Sequence, residues 1–166
     1  MSETTGRDIA LIQSRFAIED LMTVYAERVD GGDMEGVGEL FARGCVVMPD
    51  GSELAGAQAV RDGYVASVVL YDGNGERADY IRHATTPRTR HLVANRAFDF
   101  NADLTAADCR CAFLVMQQIG ERYEPIVGGR YLDRFENDGT GWHFVRRQVV
   151  IDSAGDTSHH AAQQGG

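Results

Sequence analysis

Leu11, Ile18, Met22, Tyr25 and Val29 recur at helical spacing, and Leu21 widens the stripe. Residues 6–30 are therefore predicted as one long amphipathic helix. Gly31-Gly32 closes it, as glycine commonly does at a helix C-terminus. Asp33 then caps a second, short helix, DMEGVGELF, which its glycines weaken. CVVM at 45–48 has the pattern of a short strand, with PDGS as its turn. Residues 56–70 suggest a third helix, and YDGNGERADY is a loop by composition.

Beyond that loop the period drops from 3.6 to 2. HLVANRAFDF (91–100), CRCAFLVMQQIG (109–120), GGRYLDRF (128–135) and WHFVRRQVVI (142–151) all alternate as strands. Short turns such as ENDGTG favour consecutive antiparallel pairing. Helices first and long strands after define an α+β class, with the helices packed on one face of a curved sheet. If that sheet curls, its concave side and the long helix enclose an apolar pocket of the kind that holds small ligands.

The chain has 166 residues, enough for one domain over 1–152 followed by a polar, glycine-rich tail over 153–166, expected to be mobile. Its net charge of −9 makes nucleic acid and anionic membrane surfaces poor partners. All 16 basic residues are arginine. Without lysine there is no Schiff-base chemistry and no Walker-type phosphate loop. Cys45, Cys109 and Cys111 are an odd set without framework spacing, which points to reduced thiols and a cytoplasmic location. The C-x-C pair is weak evidence for a metal, and plain packing is the expectation. MSETTGRDIALIQ lacks the layout of a signal peptide, and no apolar run is long enough to cross a bilayer.

Asp30 is the first residue to ask for an explanation. It ends a helix whose terminal carbonyls already carry partial negative charge, a placement that costs about 0.3–1 kcal/mol. Either it turns into solvent or a nearby group needs a carboxylate there. On strand 91–100, His91, Val93, Asn95 and Ala97 share a face, which makes His91 the best candidate for a general base. A surface or strand-edge histidine is the plainer alternative. On strand 142–151, His143, Val145, Arg147, Val149 and Ile151 share a face, so Arg147 either lines a pocket or lies on a wet edge. Tyr25 belongs to the buried stripe, and its hydroxyl needs a partner. It shares a face with Asp30 only if the helix loosens at its end. Asp133-Arg134 has the look of an exposed charge pair, and His159-His160 of a floppy tail.

The helix RFAIEDLMTVYAERVDGGD, the strand TRHLVANRAFDF and the hairpin GGRYLDRFENDGTGWHFVRR carry a resemblance that spans residues 8–152. The chain resembles the SnoaL-like group of the nuclear transport factor 2-like superfamily, in the branch of scytalone dehydratase, lindane dehydrochlorinase and bile acid 7α-dehydratase. The resemblance implies a cone-shaped α+β barrel with one deep pocket, three N-terminal helices and a mostly antiparallel sheet. It pairs an aspartate at the end of the first helix with a histidine on a sheet strand, and Asp30 and His91 fall at those places. Tyr25 matches the tyrosine of the bile acid enzyme, and Arg147 an arginine of the dehydrochlorinase pocket. The bile acid enzyme's acidic strand residue falls nearest Met116 here, and the second pocket histidine of scytalone dehydratase has no evident counterpart.

The activity so implied is a cofactor-independent lyase acting on a small apolar cyclic or polyketide-like molecule. Asp30, His91, Tyr25 and Arg147 would be its catalytic residues, with Val93, Asn95, Met116 and Val145 on the pocket wall. Neither metal nor cofactor is implied. Cyclisation or isomerisation by the same dyad stays open, as does a non-catalytic domain like a dioxygenase β subunit. Members of the superfamily commonly pair through the outer sheet face, so a homodimer or homotrimer is expected.

Overall fold

A computed structural model describes residues 3–162. The first helix, α1, runs Glu3–Asp30; α2 is Met34–Leu40 and α3 is Gly56–Ser67. The strands are β1 (Cys45–Val47), β2 (Glu53–Ala55), β3 (Thr89–Phe100), β4 (Ala106–Ile119), β5 (Arg122–Asn137) and β6 (Trp142–Ala154). They form one sheet in the order β2-β1-β6-β5-β4-β3, antiparallel except where β1 lies parallel to β6. Apart from β2, every element lies over the segment the hydrophobic pattern marks, though β5 begins at Arg122, six residues before the expected 128.

Ile18, Met22, Tyr25 and Val29 of α1 are buried, as the stripe requires, but Leu11 is exposed along with Ile9, Ile12 and Phe16. The buried half of α1 faces the concave side of the sheet, where Phe135 and Phe144 pack ring to ring at 4.6 Å and Phe41 of α2 joins them at 4.7 Å. Each such side chain contributes about 1.5–3 kcal/mol by leaving water.

The end of α1 is fixed tightly. Asp33 N–H donates to Arg28 O at 2.8 Å and Gly32 N–H to Val29 O at 3.1 Å, the two bonds of a Schellman cap. Gly32 sits at φ +71°, and a Cβ there would lie 1.9 Å from the Thr85 carbonyl oxygen. The glycine thus lets the helix end press against the segment leading into β3. Asp33 in turn caps α2 through its bond from Gly36 N–H at 3.0 Å.

The long strands curl because they are bulged. The β3–β4 register slips between Ala94 and Ala97, where Asn95 adopts φ +54°. The β4–β5 register slips after Val115, and β5–β6 slips at Arg134/Phe135 and again at Gly128/Gly129.

Past β6 the chain does not float free, as the composition of the tail suggested. It turns back and docks by main-chain bonds: Val69 N–H to His160 O at 2.7 Å and Ala162 N–H to Ser67 O at 3.1 Å. Tyr71 Oη donates to His159 O at 2.7 Å, and the Arg77 guanidinium to Ser158 O at 2.9 Å. Residues 163–166 of the tail lie outside the described residues.

Candidate active site

α1 delivers Asp30 and the start of β3 delivers His91, and the two meet. His91 Nδ1 lies 2.6 Å from Asp30 Oδ1, while the backbone N–H of His91 donates to Oδ2 at 2.8 Å. Thr89, two residues upstream on the same face of β3, donates its hydroxyl to Oδ1 at 2.6 Å. The side chains of His91 and Asp30 are only 8% and 11% exposed. Burial pushes the Asp30 carboxyl up, but the His91 ring and backbone and the Thr89 hydroxyl outweigh it and hold the group below its ordinary range. This answers why a helix should end on a carboxylate. The Thr89 hydroxyl, the His91 backbone N–H and the His91 imidazole together offset the unfavourable helix terminus, and in return the carboxylate fixes the ring with Nε2 as the unbound nitrogen.

The His91 ring lines an apolar cavity of about 360 Å³ between the helices and the concave sheet. Phe113 and Val115 of β4, Tyr131 of β5 and Val149 and Ile151 of β6 form the sheet wall. Tyr25 and Val29 of α1 and Tyr64 of α3 close the helical side. Asp30 itself faces a separate, polar groove on the other side of the dyad, which it shares with Arg88 and Arg90. The dyad is thus a partition, and only its imidazole reaches the apolar hollow.

Tyr25 does not bond to the dyad. The α-helix stays regular to Asp30, so the two side chains leave α1 in different directions. The Tyr25 hydroxyl instead meets that of Tyr64 at 2.7 Å, with the Tyr25 ring edge-on to the His91 ring at 6.4 Å. Burial pushes the Tyr64 and Tyr131 hydroxyls well above their ordinary range, so both keep their protons.

Arg147 is neither on a wet edge nor at the cavity surface. It is fully buried and gripped in two-point fashion by Asp133, Nε to Oδ1 at 2.9 Å and Nη2 to Oδ2 at 2.6 Å. Its guanidinium lies between the rings of Tyr25 (4.1 Å) and Tyr131 (4.0 Å), two residues that line the cavity. Burial works against its charge, but Asp133 keeps it protonated. Asp133 is therefore no exposed partner of Arg134, which pairs with Asp108 at 3.0 Å on the outside.

The expected pocket wall needs four corrections. Val93 shares the face of His91 but packs against the core instead of the cavity. Asn95 occupies the β3 bulge and is exposed, because the extra residue ends the alternation that put it inward. The extra residue on β6 is Val145, which turns outward and lets Phe144 and Arg147 face in together. Met116 lies on the outer face, since β4 alternates strictly and buries Phe113, Val115 and Gln117 instead.

The pattern also missed residues. Thr89 was legible from alternation with His91, and Tyr64 from its helical spacing to Val60. His160 was not: it comes from the docked tail, and Thr157, His160 and Ala161 cover one side of the cavity. Among the described residues no three metal-binding side chains gather, and no helix is long and apolar enough to cross a membrane.

A six-stranded sheet curled around an internal cavity, with three helices on its concave side, defines the cone-shaped α+β fold that NTF2-like proteins share. Within it, the chain belongs to the SnoaL-like domain family, whose model matches residues 10–148. An NTF2-like protein with a cystatin-like fold from Novosphingobium aromaticivorans superposes with a TM-score of 0.70 at 18% identity, covering 95% of this chain and 94% of that one. A candidate scytalone dehydratase from the same organism gives 0.67 at 22% identity, covering 90% and 91%. LinA gives 0.65 at 14% identity, covering 95% of both chains. At these identities the likeness is one of fold. No curated protein matches the sequence.

Proposed function

We propose that the protein is a cofactor-independent lyase that eliminates water from a small, apolar cyclic or polyketide-like hydroxyketone. The observation that carries this is the 2.6 Å contact between His91 Nδ1 and Asp30, with the ring forming part of an apolar cavity wall. A base positioned in this way is worth about 10²–10⁴ in rate.

In this reading His91 Nε2 takes the proton from the carbon next to the ketone. The C–H bonding pair passes to the carbonyl oxygen as an enolate, and Asp30 stabilises the imidazolium so formed. The enolate then re-forms the carbonyl as the C–O bond to the β-hydroxyl breaks, and the imidazolium gives its proton to the departing oxygen. The products are the unsaturated ketone and water, and His91 returns to its neutral form. The Tyr25, Tyr64 and Tyr131 hydroxyls gather on the cavity wall, and we assign this cluster to hold the substrate oxygen. Arg147 supports rather than touches, with its positive charge against the tyrosine rings.

The same reading carries a homodimer or homotrimer. Leu92 and Leu114 face each other across β3 and β4 on the outer sheet face and are 55% and 36% exposed. Light scattering on the purified protein tests it.

The direct test of the activity is mass spectrometry on 3-hydroxy-1-tetralone and related cyclic hydroxyketones. Loss of one water that depends on His91 is the expected result. Unchanged mass with a changed product would mean rearrangement instead, and full turnover in His91→Ala would remove the dyad from the chemistry.

A further inference from the structure

His160 belongs to a segment that composition alone marks as uninformative, yet its ring lines the same cavity as His91. The way it gets there matters. Residues 155–162 form a strap held by main-chain atoms: Gly155 N–H to Ile126 O at 2.8 Å, Val69 N–H to His160 O at 2.7 Å, and Ala162 N–H to Ser67 O at 3.1 Å. None of these bonds uses the imidazole. A strap needed only as a cover could carry any side chain at this position.

The ring is also unspent. Nδ1 is buried and has no hydrogen-bond partner. A bare nitrogen tolerates that better than an N–H, which favours the tautomer protonated on Nε2. Burial, reinforced by the charge of His91 and opposed by that of Asp30, lowers the group to about 4. At neutral pH the ring therefore carries no net charge. It is too poor an acid to supply the leaving-group proton, which His91 already carries, but it offers one N–H donor in an otherwise apolar wall.

We propose that His160 is a substrate-contacting residue whose Nε2–H donates to a carbonyl oxygen of a cyclic ketone held against His91. The proposal rests on the proposed function in taking the cavity as the substrate site, and does not require the elimination itself. It also gives the strap a function. The docked residues 155–162 complete the donor set of the cavity by placing the His160 imidazole in its wall.

The test uses 1-tetralone, a ketone with no leaving group, titrated calorimetrically into the full-length protein and its His160→Phe and His160→Gln variants. Phenylalanine keeps the volume and removes the donor, which should weaken binding about tenfold, the upper range for one neutral hydrogen bond. Glutamine restores an N–H near Nε2 and should recover most of that loss. Hydrogen exchange at the Val69 and Ala162 amides should stay protected in all three proteins, because the strap is held by its main chain. The proposal fails if phenylalanine binds as tightly as histidine, if both variants weaken equally, or if wild type does not bind 1-tetralone. Binding that depends on His160 without turnover of 3-hydroxy-1-tetralone would sink the elimination and leave this assignment standing.

Discussion

Asp30 holds His91 twice, once at the ring through Nδ1 and once at the backbone through its N–H. The double grip restrains the side-chain torsions of His91 and so sets the imidazole's direction, since the carboxylate holds both the backbone and the ring. Thr89 completes the arrangement from the same strand face. No atom of Asp30 is needed in the cavity itself, which explains how an acidic residue can serve a hollow walled by valines and aromatic rings.

His91→Ala should lose about 10²–10⁴ in kcat on a cyclic hydroxyketone substrate while the circular dichroism spectrum stays native. His91→Gln should be as inactive, because an amide cannot carry the proton. Steady-state kinetics on both variants checks this, and activity within a few-fold of wild type in either would dismiss His91 as the base.

Asp30→Asn should destabilise the fold by about 1–3 kcal/mol, since hydrogen bonds to the charged carboxylate are lost or weakened. The loss should depend on pH. The folded-state pKa of Asp30 lies below its ordinary value of 3.8, so its ionised form favours the folded state. That contribution is complete above the unfolded-state pKa and disappears as pH falls through the lower folded-state value. The gap between wild type and Asp30→Asn in urea unfolding should therefore be widest near neutral pH and close below about pH 4.

Arg147→Met should destabilise by about 3–5 kcal/mol, because it strands the Asp133 carboxylate in the core. Arg147→Met combined with Asp133→Leu should recover most of that, as buried ion pairs often tolerate joint replacement by apolar residues. Thermal unfolding of the two single variants and the double variant measures the coupling. If Arg147→Met alone is as stable as wild type and merely inactive, the arginine acts on substrate and not as an internal prop.

The separation between what was legible and what was not comes from bond geometry. Helical and strand periods located every long element, and motif resemblance located Asp30 and His91, because these depend on spacing along one segment. Asn95 and Val145 were misplaced by bulges: one extra residue reverses the facing of the residues after it, and alternation carries no signal of it. Asp133 looked like a surface charge because its partner, Arg147, lies across a strand pairing that no local pattern announces. His160 was invisible for the same reason. Its burial is created by bonds from Val69, Ser67 and Tyr71, far away in the chain.

Gly32→Ala is the sharpest test of how the helix end serves the site. The position has φ +71°, which an L side chain adopts only under strain, and the added carbon would stand 1.9 Å from a backbone oxygen of Thr85. Neither atom belongs to a flexible side chain, so α1 and the segment before β3 must separate. Asp30 ends α1 and Thr89 and His91 open β3, so the separation acts directly on the 2.6 Å contacts between them. The substitution should cost more than the ~1 kcal/mol of a simple glycine-to-alanine strain, and it should lower kcat in the fraction that still folds. The His91 ring proton resonances report the outcome: a shifted imidazole signal with native dispersion elsewhere is expected. An unshifted signal with full activity would show that the dyad is aligned by something other than the Gly32 contact.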